Sequence, residues 1–215
     1  MNSQLRCNFP LLLFMSRISS TVDLETTYRK FGIVSDVIDR APRQVLKVIF
    51  DENVNCTLGN TLTPSDVEQE PRELNWNAYR NELYTLLLTD PDAPSRENPI
   101  NREFLHWLVI NIPEKGISSG DTIAQYVGAG PPAGTGLHRY VLTMYKQEGR
   151  LIFNPEICFD KMARRRWSTR TFARENNLGQ PEAGNFFQAE YDDHVPTVQE
   201  QLNQLCQEKR SYSSL

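Results

Sequence analysis

Three side chains in the middle of the sequence could do chemistry together: Asp90, His106 and His138. A carboxylate and two imidazoles can bind an anion, hold a metal, or move a proton. They fall in the stretch from Thr89 to Tyr140, which carries two of the three histidines, six of the 13 prolines and six of the 11 glycines. Proline fixes φ and glycine permits φ > 0, so this density predicts loops of imposed shape. Asp90 directly follows an apolar run and precedes Pro91. A carboxylate at such a strand end needs a partner, because burying a lone charge is costly. Asp92 and Ser95 read as turn-formers. A cis peptide before Pro91 or Pro94 is an open alternative.

His106 by itself reads as a core histidine. His138 has more informative neighbours: Gly128-Ala129-Gly130-Pro131-Pro132 and Gly134-Thr135-Gly136. Backbone N–H groups exposed by glycines can form an anion-cupping nest, to which a histidine can add a charge-assisted hydrogen bond. The Walker pattern GxxxxGK[ST] and a strand-to-helix GxGxxG are both missing.

The elements that must position these residues read mainly as strands. Val45 to Phe50 is β-branched. Leu83 to Leu88 and Phe104 to Ile112 are continuous apolar runs, suited to strands covered on both faces. Strict alternation puts His106 on one face with Phe104, Leu108 and Ile110. Leu137 to Tyr145 places His138, Tyr140, Leu142 and Met144 together. Gly184 to Tyr191 reads as a strand, and Asp121 to Val127 as a short helix. Lys30 to Arg40 is a short helix or an arm, Pro64 to Pro71 is loop-like, and Trp76 is expected to plug a core edge. Ser168 to Leu178, closed by Gly179, and the run from Val195 to Leu205, with Pro196 in the first turn, read as helices. Short strands that do not alternate with long helices exclude a doubly wound parallel sheet. The expected fold is mainly antiparallel β with peripheral helices late in the chain.

The 215 residues suffice for a substantial core in one domain. The net charge of -4 argues against general nucleic-acid binding. The four cysteines form no CxxC pair, so no cysteine metal site is read. Residues 1–22 contain Arg6 and Arg17 and no acid; a mitochondrial presequence or a secretory signal competes with an unstructured extension, and the last is adopted. The domain is set at 23–206, with a flexible tail at 207–215. A cytoplasmic location and a monomer are expected, with mitochondrial or secreted placement as alternatives. Lys161, Arg164, Arg165, Arg166, Arg170 and Arg174 form one basic run. It reads as a solvated surface, or as a contact for anionic headgroups or an acidic partner.

The ordered strings Asp90-Pro91-Asp92-Ala93-Pro94-Ser95, Arg102-Glu103 with His106, Gly128 to Pro132, Gly134 to Tyr140, and Asn185 to Asp193 resemble the signature of the phosphatidylethanolamine-binding protein family. The resemblance implies a large antiparallel sheet packed on a smaller one, plus late helices. It implies no catalytic residue and no cofactor, and a pocket for a phospholipid headgroup or related phosphate. Asp90, His106, Gly130 and His138 would line that pocket, and Pro94, Tyr126, Pro132 and Tyr140 would shape its walls. Protein kinases, serine proteases and a membrane surface are the implied partners. Two positions depart from the family. Phe104 stands where tryptophan is common, and Gln199 where a C-terminal tyrosine caps the anion. The competing readings are a metal-dependent hydrolase using Asp90, His106 and His138, a serine-protease inhibitor, and a Ser-His-Asp hydrolase, for which no GxSxG exists.

Overall fold

The computed structural model describes residues 23–114, 116–153 and 159–205. The expectations for residues 1–22 and 207–215 lie outside these ranges. The chain opens with α1 (Leu24–Lys30), whose N-cap Asp23 accepts from the Thr26 amide. An irregular arm follows. Strands β1 (Gln44–Val45) and β2 (Lys47–Asp51) split the run read as one strand. β3 (Val54–Asn55) and β4 (Glu73–Asn75) pair with β2. Then come β5 (Tyr84–Asp90), β6 (Phe104–Ile112), β7 (Asp121–Ala124), β8 (His138–Lys146), α2 (Thr169–Glu175), β9 (Ala183–Ala189) and α3 (Val195–Gln204).

A six-stranded sheet runs β1-β9-β8-β5-β6-β7, beside a three-stranded sheet β3-β2-β4. Every pairing is antiparallel except the edge pair β1–β9. The chain thus changes sheets at Leu46, which is fully buried. The smaller sheet covers one face of the larger through Val48 and Phe50 against Leu86, Leu88, Trp107, Leu142 and Phe187. The opposite face is covered by α2 and its approach, where Phe159, Phe172 and Leu178 meet Leu87, Leu108 and Ile110. The arm after α1 closes over Val141 and Phe186. Cover on both faces is why β5, β6 and β8 read as unbroken apolar runs.

Two expectations change. Asp121 to Val127 is not helical: its first four residues pair antiparallel with Leu108–Ile110 as an edge strand. With Thr122, Ile123 and Val127 β-branched, sheet pairing wins over a marginal helix. The alternation along β6 also fails at its start. Leu88 pairs with Trp107, but Thr89 pairs with Leu105, so His106 is an extra, bulged residue. The bulge separates His106 from Leu108 and Ile110, which join the α2 side. It leaves the imidazole 5.1 Å from the Phe104 ring and 5.2 Å from the Tyr140 ring. A bulge re-aims a side chain in this way.

Candidate functional site

The carboxyl end of β5, the start of β6, the start of β8, the glycine-rich loop and α3 enclose a cavity of about 180 Å³. Asp90, Pro94, His106, Gly130, Pro132, His138 and Tyr140 all line it, with Phe104 and Gln199. Its apolar walls are Ala93, Pro94, Phe104, Pro132, Val198 and Leu202. The bond before Pro94 is cis. Tyr126 is not among the lining residues. Its hydroxyl donates to the Val67 carbonyl at 2.7 Å and its ring packs on Trp107. The sequence places Tyr126 just upstream of the loop, but β7 carries it to the neighbouring groove.

Asp90 has the partner its position demands. Its Oδ2 lies 2.8 Å from His138 Nδ1, and its Oδ1 accepts from the Asp92 amide at 2.7 Å. His138 is wholly buried. Its other nitrogen, Nε2, lies 2.9 Å from Thr135 Oγ1. Thr135 donates its one hydroxyl proton to the Pro132 carbonyl at 2.7 Å. Thr135 Oγ1 thus bridges the Pro132 carbonyl and the His138 ring. Both ring nitrogens of His138 are committed, so the ring orders the loop and offers no unengaged N–H to the cavity.

His106 differs. Its Nδ1 lies 2.9 Å from the Val127 carbonyl, which only accepts, so Nδ1 carries the proton. Burial first, and then the Arg164 guanidinium, push its pKa down to about 4, against the opposing pull of Asp90. The ring is neutral at physiological pH and Nε2 is a lone-pair acceptor. Tyr140 stacks on Phe187 at 5.0 Å. Its hydroxyl is buried, with the Gly130 backbone beside it and no hydrogen bond of normal geometry.

The glycine loop is explained by close packing. A Cβ on Gly128 would stand 2.7 Å from the Val67 carbonyl oxygen, closer than real contacts allow. Gly130 packs against Val198, and its carbonyl accepts a long 3.5 Å bond from Gln199 Nε2. At Gly130 the loop turns a carbonyl toward α3.

Arg139 and Arg164 build the site from behind. Asp92 is no mere turn-former. Arg139 Nε and Nη2 donate to its two oxygens at 2.8 and 2.6 Å, and the Arg139 amide donates to Oδ2 at 2.9 Å. Arg139 also donates to the Phe31 and Gly32 carbonyls and to Asp36. This pins the Asp90–Pro94 turn to the residue after His138. Arg164 is fully buried, contrary to a solvated basic run. It donates to the carbonyls of Phe159, Leu105, His106 and Gln125. A planar guanidinium can serve four backbone oxygens where a lysine cannot. Its place in the sequence, between Ala163 and Arg165, cannot distinguish buried from exposed. Glu103 holds α2 by accepting from the Thr169 amide and hydroxyl.

Among the described residues, no group of three or more His, Cys, Asp or Glu could hold a metal ion. The nitrogens a two-histidine triad would use are partly committed within the protein. No helix of the described residues is long and apolar enough to cross a membrane.

With this geometry, comparison with known proteins identifies the relatives. The family model for phosphatidylethanolamine-binding protein matches residues 52–187. The chain belongs to the phosphatidylethanolamine-binding protein family. A Drosophila melanogaster protein with the provisional name odorant-binding protein A5 is 35% identical over 176 residues, covering 81% of this chain and 83% of that protein. The structure of a carboxypeptidase Y inhibitor in complex with its cognate proteinase is 29% identical, with a TM-score of 0.67 over 82% of this chain and 98% of that one. A phosphatidylethanolamine-binding protein from Plasmodium vivax shares the fold at 20% identity, with a TM-score of 0.63 over 78% of this chain and 97% of that one. The mainly β architecture of two unequal sheets with few helices is the fold of this family.

Proposed function

We propose that this protein is a non-catalytic binding protein whose cavity receives a phosphate-bearing small molecule, such as a phosphatidylethanolamine-type headgroup, and that occupancy regulates a protein partner. One observation carries the reading. A cavity of about 180 Å³ is lined by a neutral imidazole and a buried tyrosine hydroxyl without a hydrogen bond of normal geometry. Leaving such a group unpaired costs about 1–3 kcal/mol, which a ligand atom could recover. A hydrolytic reading lacks support at the site, since no nucleophilic serine or cysteine lines the cavity.

Titration of the full chain with phosphoethanolamine, followed by NMR of the His106 and His138 ring signals, tests the proposal. Movement of the His106 signals at submillimolar to millimolar ligand is expected. Unmoved signals at both histidines through the millimolar range would overturn it. The likeness to a carboxypeptidase Y inhibitor supports a second reading, that the regulated partner is a proteinase. Titration against a panel of serine proteases that includes a carboxypeptidase tests this, and no inhibition across the panel would remove it.

A further inference from the structure

A groove separate from the cavity lies on the other side of α3, and Val198 lines both. The groove holds about 660 Å³ and runs between Glu68 to Glu70, the edge strand β7 and α3. Its floor is aromatic. Trp107 is 2% exposed and Tyr126 9%, with ring centroids 5.4 Å apart and planes nearly perpendicular. The charge on its rim has one sign. Glu68 and Glu70 line the groove, and no lysine or arginine does. Among the described residues Glu68 meets only His194, at 3.5 Å, a pair that is charged only when the ring is protonated. Glu70 has no ion pair or hydrogen bond among the described residues. Its charge reaches the Tyr126 hydroxyl, whose pKa is pushed up by burial first and then by Glu70.

Two surface carboxylates facing water do not make a site. The floor adds an independent requirement. Trp107 donates no hydrogen bond through Nε1 among the described residues, and that nitrogen is not sealed from solvent. The groove is the open space that Trp107 lines. A largely buried indole N–H calls for an acceptor, and the carboxylates on the rim call for cations. A peptide offers both, as carbonyl oxygens along its backbone and as basic side chains. The groove is also held ready. The Tyr126 hydroxyl donates to the Val67 carbonyl at 2.7 Å, and Gln201 Nε2 donates to the Tyr126 carbonyl at 3.3 Å. Asp192 accepts from the Ser65 amide and hydroxyl, which fixes the turn before Glu68. A preformed groove orders little on binding, so less affinity is lost to entropy.

We propose that this groove docks an extended, lysine- or arginine-bearing segment of a protein partner. A backbone carbonyl of the segment accepts from Trp107 Nε1, and its cations pair with Glu68 and Glu70. The groove and the anion cavity lie on opposite sides of α3 and select opposite charge, so docking needs no ligand in the cavity.

The test uses the full chain and a short peptide of alternating lysine and serine. Binding is read by calorimetry and by the indole N–H signal of Trp107 in NMR, assigned with Trp107→Phe. Micromolar to submillimolar binding with a shifted Trp107 signal is expected, weakening as salt screens the exposed pairs. Glu68→Gln combined with Glu70→Gln should weaken the peptide about tenfold, the size of two exposed charge pairs. Glu52→Gln combined with Glu175→Gln removes the same charge from exposed positions outside the groove and should leave affinity within about twofold of the parent. Thr122→Arg plants a cation on the groove wall and should weaken binding by more than about tenfold. All these side chains are exposed, so melting temperatures should match the parent and keep the affinities comparable. No binding by the parent, an unmoved Trp107 signal, or an equal loss in both pairs of glutamate variants overturns the proposal. So does a peptide of alternating glutamate and serine that binds as tightly. Spermidine matching the lysine peptide would mark a site for small polycations and overturn the peptide partner. The sequence carries Lys209 and Arg210 beyond α3. A chain with Lys209→Ala and Arg210→Ala that binds the peptide about tenfold tighter than the parent would assign the groove to the chain's own C-terminal segment and overturn the external partner.

Discussion

Replacing Asp92 by Asn keeps the side-chain shape and removes one charge from the most buried ion pair of the site. Asp92 and Arg139 are each 1% exposed. Three donors of Arg139 converge on the Asp92 carboxylate, two from the guanidinium and one from the backbone. In Asp92→Asn the guanidinium keeps Asp36, whose side chain is 38% exposed and a poor substitute. Removing one partner of a buried pair costs about 3–5 kcal/mol, because the other charge stays buried. For a domain of this size that corresponds to a drop in Tm on the order of 10 °C. The pH dependence carries a second signature. Hydrogen bonds and charge from Arg139 hold the Asp92 pKa below its ordinary 3.8, against desolvation. A depressed folded pKa means the stabilisation is complete above 3.8 and is lost as pH falls through the folded value. Urea unfolding of parent and variant should therefore show a constant gap above pH 5 and a closing gap below pH 4, as the parent loses what the variant never had. A third chain, Asp92→Asn with Arg139→Met, should recover part of the loss, since two uncharged groups replace an orphaned cation. A gap under 1 kcal/mol at pH 7, or one that widens in acid, would refute the reasoning.

Burial of neutral His106 predicts a separate acid sensitivity. The unfolded ring takes a proton near 6.5 and the folded ring near 4, so stability is full above 6.5 and falls by about 3 kcal/mol as pH drops to 4. NMR should find the His106 ring uncharged at pH 5, and His106→Asn should flatten that part of the stability profile. Arg164→Lys keeps the charge but loses the fork that serves the carbonyls of Phe159, Leu105, His106 and Gln125. Its unfolding free energy should fall by about 2–4 kcal/mol, read by urea titration, and a loss under 1 kcal/mol would show that the fork is dispensable.

Local chemistry made much of this protein readable from its residues. The apolar runs at Leu83 to Leu88 and Phe104 to Ile112 suited strands covered on both faces, as β5 and β6 are, and Ser168 caps α2 through the Thr171 amide as its type predicts. Motif order placed Asp90, His106, Gly130 and His138 around one cavity, and Asp90 could be said to need a partner before His138 was known to supply it. Asymmetry between neighbours was harder to read. One bulge at His106 reversed half of an alternation pattern, and such an insertion exists only relative to the partner strand. Asp121 to Ala124 became a strand because β6 offered an edge.

Arginine is the clearest division between the two. The sequence determined that a basic run follows Lys161, and that Asp92 precedes a proline turn. Only the tertiary structure decided that Arg164 is buried while Lys161 and Arg165 line the cavity, and that Asp92 meets Arg139 across a sequence separation of 47. A guanidinium has the same charge in water and in the core. Its role depends on which carbonyls and carboxylates the fold brings within 3 Å of it, and those come from distant strands.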